Sequence, residues 1–372
     1  MAVRKVRVLI VDDSAVVRRL LVDCLARDAQ IEVVGTAATG SIALAKIGLL
    51  SPDLITLDVE MPDMSGLETL AEIRKAHTRL PVIMFSAVTE RGAATTLDAL
   101  ALGANDYVTK PANAGNPAVA LQKVQEDLIP KIKGLCARVV PGLAGALPAG
   151  RAAPPRPRRR LALDALELAR AELVAIGVST GGPSALAKLV RALPAALPVP
   201  VVIVQHMPPL FTKLLAERLA TQSSIGVSEA TGGEPLLPGH VWIAPGDRHL
   251  IVTPSGDGLR LELDQGPREN SCRPSVDVLF RSVAAALGRR ALGVVLTGMG
   301  RDGLRGAECI HEAGGQVVVQ DEETSVVWGM PGFIAHAGLA DRVLGLGEMA
   351  AEIVRRVGEE HSLGETHVDG AA

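Results

Sequence analysis

Two α/β units, the second a doubly wound and mainly parallel sheet, are what this chain predicts, and three observations predict them. Short, branched apolar runs alternate with helix-like stretches, the pattern of strand, crossover helix and next strand in a parallel sheet. At 372 residues the chain exceeds one domain of ordinary size,. Between residues 134 and 171 a segment rich in Pro, Gly, Ala and Arg interrupts the alternation, and that composition makes linkers rather than cores. The expected divisions are therefore 1–133, a linker at 134–171, a second domain at 172–358 and a polar tail at 359–372.

In the first unit the apolar runs fall at 6–11, 54–57, 82–85 and 107–108. Asp12 and Asp13 follow the first, Asp58 the second, Ser86 the third and Lys110 the fourth. Ligands of open α/β sheets gather outside the carboxyl ends of the strands, so these sequence-distant residues should meet. Three carboxylates at one edge repel one another unless a hard divalent cation offsets them, and Mg2+ prefers such oxygen ligands. Asp12, Asp13 and Asp58 are the expected metal ligands. With the metal bound, one carboxylate can attack phosphorus while an ammonium and a hydroxyl hold the equatorial oxygens. Asp58 is the expected phosphoacceptor. A single Asp at a strand end ordinarily caps a helix or forms a turn; five suitable residues at successive strand ends are harder to assign that way.

Composition removes several function classes. A formal charge of -3 and an aromatic content of 2% give neither the basic field nor the stacking surface of a nucleic-acid binder,. No apolar stretch approaches a membrane span, and the first residues lack a signal-peptide core,. A cytoplasmic location is expected. Cys24, Cys136, Cys272 and Cys309 are scattered without metal or redox spacing, so reduced, structural thiols are expected. The arginines at 156, 158, 159 and 160 lie in the Pro-rich segment and read as a solvated charge run,.

The second unit opens with L-V-A-I-G-V at 173–178, which runs into Ser179-Thr180-Gly181-Gly182 before a helix beginning near Pro183. Residues 177–181 fit G-x-S-x-G, in which glycines allow a tight strand-to-helix turn that exposes a serine hydroxyl. Gly-rich turns of this kind also hold phosphates, although the full G-x-G-x-x-G and the P-loop lysine are missing,. A serine nucleophile needs a base, and the base needs an orienting carboxylate. His206 follows the apolar run at 199–204 and is the best-placed base; His240, His249 and His336 remain alternatives. Asp302 lies in the Gly-rich exit T-G-M-G-R-D-G at 297–303 and is the candidate orienter, with helix N-cap as its ordinary reading,. The glycines around Met299 would let backbone N–H groups face a developing oxyanion. The order Ser, His, Asp differs from that of the common α/β hydrolases, which implies a separate lineage.

Two resemblances are carried by these motifs. V-D-D-S at 11–14, L-D-V-E-M-P at 57–62, F-S-A at 85–87 and G-A-N-D-Y-V-T-K-P at 103–111 resemble the receiver domain of two-component response regulators. That resemblance implies a flavodoxin-like fold, phosphate on Asp58, Mg2+ at Asp12 and Asp13, phosphoryl sensing by Ser86 and Lys110, and Tyr107 as an aromatic switch residue. I-G-V-S-T-G-G at 176–182, Q-H-M-P at 205–208, I-A-P-G-D-R-H-L at 243–250, R-P-S-V-D-V-L-F at 273–280, L-T-G-M-G-R-D-G at 296–303 and Q-D-E-E-T-S-V-V-W-G-M-P at 320–331 resemble the catalytic domain of the chemotaxis protein-glutamate methylesterases.

The second resemblance implies a triad of Ser179, His206 and Asp302, Thr180 beside the histidine, and Met299 backbone serving the oxyanion. It implies hydrolysis of γ-glutamyl methyl esters on methyl-accepting chemoreceptors, with glutamine deamidation in some relatives, and no cofactor for the ester chemistry. The partners implied are the receptors and a chemotaxis-type histidine kinase, and the expected state is a monomer. Arg301 stands where Asn is frequent in the family, and Leu304 where Ala is common. The receiver is expected to pack over the cleft until Asp58 is phosphorylated.

Overall fold

The computed structural model describes residues 4–110, 117–140, 143, 169–256 and 258–358. Most of the expected linker, with the arginines at 156, 158, 159 and 160, and also Pro111 and the tail at 359–372 lie outside the described residues.

The first domain alternates strictly: β1 (Val6–Val11), α1 (Ala15–Leu25), β2 (Ile31–Ala37), α2 (Gly40–Leu50), β3 (Leu54–Asp58), α3 (Gly66–Ala76), β4 (Val82–Ser86), α4 (Glu90–Leu102), β5 (Asp106–Thr109) and α5 (Pro117–Cys136). The strands pair in parallel in the order β2-β1-β3-β4-β5. The chain therefore winds outward from β1 in both directions, and the crevice beside β1 and β3 is the place where such sheets bind ligands. Side-chain caps start the helices: Ser14, Thr39 and Thr89 each accept a backbone N–H of the first turn, and Ser65 with Glu68 closes a capping box on α3,. β2 has no counterpart among the sequence-derived runs. It is an edge strand whose interior residues are half-exposed and interrupted by Glu32, Gly35 and Thr36, so it carries no continuous apolar signal,. α5 continues to Cys136, three residues into the segment expected to be linker.

The second domain comprises β6 (Leu173–Val178), α6 (Gly182–Ala192), β7 (Val201–Gln205), α7 (Pro209–Gln222), β8 (Gly226–Glu229), β9 (His240–Ile243), β10 (His249–Ser255), β11 (Gly258–Asp264), α8 (Val276–Leu287), β12 (Ala291–Val295), α9 (Leu304–Glu312), β13 (Gln316–Gln320), α10 (Met330–His336), β14 (Arg342–Leu344) and α11 (Met349–Val357). Seven strands form one parallel sheet in the order β14-β13-β12-β6-β7-β9-β8, while β10 and β11 make a separate antiparallel hairpin. β6, β7, β12 and β13 are buried throughout, as strands covered by helices on both faces must be,. The winding starts at β6 and reverses between β6 and β12, so the loops after β6, β7 and β12 share one edge,.

The two cores are not separate. One apolar cluster runs from Leu97, Leu100 and Tyr107 of the first domain into Leu186, Phe211 and Leu215 of the second. A second joins Val124, Leu128 and Leu135 to Val327, with Met299 and Val326 packed on its border. The first domain thus sits against the strand-end loops of the second.

Candidate active site and phosphoacceptor site

At the first edge, β1 delivers Asp12 and Asp13, β3 ends in Asp58, and the residue after β5 is Lys110. Carboxylate oxygens of Asp12, Asp13 and Asp58 lie within 4.8 Å of one another. Lys110 Nζ stands 2.8 Å from Asp58 Oδ2 and 3.1 Å from Asp12 Oδ2. Among the described residues those two buried oxygens have no hydrogen-bond donor beyond that ammonium. Burial and the neighbouring Asp12 charge push the Asp58 carboxyl up to about 6, against the pull of Lys110,. A crowded, under-compensated oxygen set of this kind fits a hard divalent cation. Ser86 departs from expectation. Its hydroxyl is buried and turned onto Gly92 O at 3.1 Å and Ala87 O at 3.2 Å, so here it faces the start of α4 rather than Asp58.

Tyr107 is also turned inward. Its ring, 6% exposed, stacks on Phe211 of α7 with centroids 4.6 Å apart and planes inclined by 12°. The preceding residue, Asp106, accepts a hydrogen bond from Thr180 Oγ1 at 2.7 Å. Thr180 therefore commits its hydroxyl to the first domain, where the resemblance had put it beside His206. Arg218 with Asp98 (2.6 Å), Ser184 Oγ donating to Leu100 O (2.9 Å) and Arg138 donating to Glu322 O are further polar contacts between the domains.

At the second edge, Ser179 leaves β6 and His206 leaves β7, and the register pairs Val178 with Gln205 immediately before them. His206 N donates to Val178 O at 3.3 Å, and Ser179 N to Thr297 O at 3.1 Å. Gln205 Nε2 reaches both Ser179 O (3.1 Å) and His206 O (3.4 Å), tying the two strand exits together. His206 Nε2 stands 2.8 Å from Asp302 Oδ2, and its Nδ1 lies 3.7 Å from Cys272 Sγ. Among the described residues no hydrogen bond joins Ser179 Oγ to His206. The structure brings base and orienter together and holds the serine on the adjoining strand exit.

Asp302 is 2% exposed and accepts from six donors: His206, Asn270 Nδ2, Ser275 Oγ and the backbone N–H groups of Val276, Asp277 and Gly303. Burial alone would raise its carboxyl, but the His206 hydrogen bond and charge together with these donors hold it at about 2,. The cap reading of Asp302 is half met: it accepts the first-turn N–H groups of α8, not those of its own helix α9. Burial works to lower the His206 pKa, yet Asp302 and Cys272 together push it up to about 10. Asn270, Ser275 and Cys272 had no assigned role in the sequence; Ser275 at a helix start carried the clearest signal, since an N-cap serine was to be expected there,.

The other histidines are accounted for otherwise. His249 accepts from Ser275 N at 3.2 Å and faces Pro267 O at 3.0 Å, His240 packs on Trp242, and His336 lies 2.7 Å from Gly332 O. Around the oxyanion loop, Gly298 O accepts from Gly329 N and Met330 N, while the Met299 N–H meets no acceptor among the described residues. A Cβ on Gly329 would stand 2.7 Å from Gly298 O, so this close backbone approach requires glycine. The Met299 side chain is covered by α5: a Cβ on Gly134 would lie 3.3 Å from Met299 Sδ.

A phosphoacceptor domain packed on the strand-end edge of a second α/β domain, with a histidine–carboxylate pair next to a serine, defines a response regulator with a hydrolase-like output domain. Residues 174–353 match the model of the CheB methylesterase family, and residues 8–122 that of the response regulator receiver domain. The chain is 54% identical over 356 residues to a protein-glutamate methylesterase/protein-glutamine glutaminase of Trichodesmium erythraeum, covering 95% of this chain and 99% of that one. It is 53% identical to a protein of the same description from a Nocardioides species, over 95% of this chain and 96% of that one. The crystal structure of the Thermotoga maritima CheB methylesterase catalytic domain is 42% identical and covers 50% of this chain and 98% of its own, with a TM-score of 0.49. The chain belongs to the CheB methylesterase family.

Proposed function

We propose that this protein hydrolyses glutamate γ-methyl esters on methyl-accepting chemoreceptors, and glutamine side-chain amides by the same acyl chemistry, under control of Asp58 phosphorylation. In this reading Ser179 attacks the ester carbonyl, His206 takes its proton, and Asp302 fixes and stabilises the imidazole. The Met299 N–H, which meets no acceptor among the described residues, would face the oxyanion,. Methanol leaves, and water activated by His206 then releases the acyl group and restores Ser179. The observation that carries the proposal is the His206–Asp302 hydrogen bond at the strand exit adjoining Ser179.

The receiver supplies the control. As docked, it covers the Met299 loop and engages Thr180 next to Ser179. In the proposed switch Asp12, Asp13 and Asp58 hold Mg2+, a histidine kinase is the phosphodonor, and phosphorylation shifts the docked equilibrium toward an open one. Mg2+, when bound, offsets the charge of the carboxylates and of the incoming phosphoryl group. The protein would act as a monomer on the cytoplasmic side of receptor membranes; among the described residues no helix is long and apolar enough to cross a membrane.

The test is methanol release from methyl-labelled chemoreceptor membranes, with and without Mg2+ and a small phosphodonor. Release that rises with the phosphodonor and vanishes in Ser179→Ala is expected. Undiminished release from Ser179→Ala would move the nucleophile elsewhere.

A further inference from the structure

Cys272 lies outside the chemistry just described, yet its sulfur is 3.7 Å from His206 Nδ1, and the other ring nitrogen is 2.8 Å from Asp302. Thiol, imidazole and carboxylate stand in the order of nucleophile, base and orienter. We propose that Cys272 is a modification site: a thiol that draws on the His206–Asp302 pair, reacts with peroxides and soft alkylating agents, and silences the esterase when it does.

Four observations support this. The turn that presents the thiol is fixed. Asn270 and Ser271 both have left-handed φ values, 51° and 64°, and Glu269 and Cys272 exchange backbone hydrogen bonds of 3.1 and 2.8 Å. Asn270 Nδ2 then anchors the turn to Asp277 at 2.8 Å and to Asp302 at 2.9 Å. Such backbone conformations persist in non-glycine residues only where the surroundings enforce them. Second, Cys272 is half-buried, so a small electrophile can reach it. Third, the other cysteines lack this setting: burial pushes the thiols of Cys24 and Cys136 up to about 11 and about 12, and raises that of Cys309. None of those three has an imidazole partner among the described residues. Fourth, Nε2 is committed to Asp302, which leaves Nδ1 as the ring nitrogen available to Ser179. An adduct on Cys272 would stand at that edge.

A bound metal is the competing use of the same three residues, whose ligand atoms lie within 4.8 Å of one another. Asp302 disfavours it, because its two oxygens already accept from six donors. For peroxide the step balances as follows. The thiolate sulfur attacks one peroxide oxygen, the O–O bond breaks, and the departing hydroxide takes the imidazolium proton and leaves as water. Sulfur is oxidised to a sulfenic acid, peroxide is reduced, and His206 is left neutral beside the adduct.

The experiment is iodoacetamide labelling of the full-length chain at pH 6.5 and 8.0, with each cysteine quantified by peptide mass. An ordinary thiol has a pKa of about 8.5, so its labelling should fall about twenty-five-fold over this interval. Cys272 is expected to react first of the four cysteines and to lose less than threefold, whereas in His206→Gln and Asp302→Asn the full fall returns. A fall of about twenty-five-fold in the unmodified chain, unaltered by either substitution, would overturn the proposal. In the second arm, hydrogen peroxide should cut methanol release at least tenfold relative to the untreated protein. The treated-to-untreated ratio should stay near one in Cys272→Ala and Cys272→Ser; equal loss in both would place the damage elsewhere and overturn the silencing claim. The labelling arm needs no substrate, so its failure is separable from failure of the methylesterase reading.

Discussion

Replacing Tyr107 with Ala should activate the unphosphorylated protein. The ring is 6% exposed and stacks on Phe211 at 4.6 Å, across the boundary between the domains. An aromatic pair of this geometry contributes about 0.5–1.5 kcal/mol beyond its area, and burial of a side chain this size a further ~1.5–3 kcal/mol. Part of that burial is internal to the receiver, so about 1–2 kcal/mol is assigned to docking, on the scale where 1.4 kcal/mol is tenfold. If the docked form dominates, the open fraction and the basal esterase rate should rise roughly five- to thirtyfold. The assay is methanol release without phosphodonor, compared with the maximal rate in its presence, which should move little. Tyr107→Phe keeps the stack and should stay near the unmodified basal rate. A Tyr107→Ala protein that folds and responds to phosphodonor, yet shows no basal rise, would refute docking through this contact.

Asp302→Asn should lower esterase turnover by about 10^3–10^4, as expected when the orienter no longer fixes the histidine, with receptor binding little changed. Its acid behaviour should differ as well: a carboxyl held at about 2 contributes stability that is complete above its ordinary 3.8 and is lost as pH falls through about 2,. The gap in stability between the unmodified chain and Asp302→Asn should thus narrow only in that window, as read by acid titration of far-UV signal. Asp58 has the opposite sign. Raised to about 6, it destabilises the metal-free fold as pH climbs from about 4 past 6, so Mg2+ should raise Tm at pH 7.5 and do little at pH 5. A Tm gain independent of pH, or retained in Asp58→Asn, would count against the site. Gly306→Ala should cost about 1–3 kcal/mol through overpacking, because a Cβ there would come 2.4 Å from Phe280 Cβ where α9 crosses α8; denaturant unfolding measures it.

Sequence reading located the strands that carry chemistry because those strands are buried on both faces and read as continuous apolar runs. It missed β2, whose exposed positions broke the run, and left β8, β9, β13, β14 and the β10–β11 hairpin unread; β8 and β14 are short edge strands, but β13 is buried throughout and was simply not picked out. At the active site, Ser179 and His206 were legible because they stand directly after strands, and Asp302 because it lies in the Gly-rich loop between β12 and α9. The support around Asp302 was not. Asn270 and Cys272 come from an irregular turn between β11 and α8, which no periodicity announces, and they reach Asp302 and His206 only through tertiary packing. Ser86 and Thr180 show the other limit. Each lies where its motif put it, but a hydroxyl's partner is chosen by its rotamer, and here the partners are Gly92 O and Asp106.

One short strand connects both halves of the proposed switch. β5 has four residues; Asp106 and Tyr107 at its start bind Thr180 and Phe211, and Lys110 just past its end bridges Asp12 and Asp58. Lys131 of α5 braces the same strand, donating to Tyr107 O at 2.6 Å and standing 3.6 Å from Asp106. A phosphoryl group on Asp58 would compete with Asp58 and Asp12 for the Lys110 ammonium, and Lys110 N is already tied to Ser86 O at 2.6 Å. Displacement of Lys110 therefore pulls on β4 and β5 together. The buried Asp106 carboxylate is the costly part of the interface, since burial raises its pKa against the pull of Lys131, the Thr180 hydroxyl and the Tyr107 N–H,. Rupture of the Thr180 hydrogen bond would be compensated at once by water on the newly exposed carboxylate. Under the proposed switch the interface would separate with a small displacement of β5, and the apolar Tyr107–Phe211 contact would set how much phosphorylation is needed to open it.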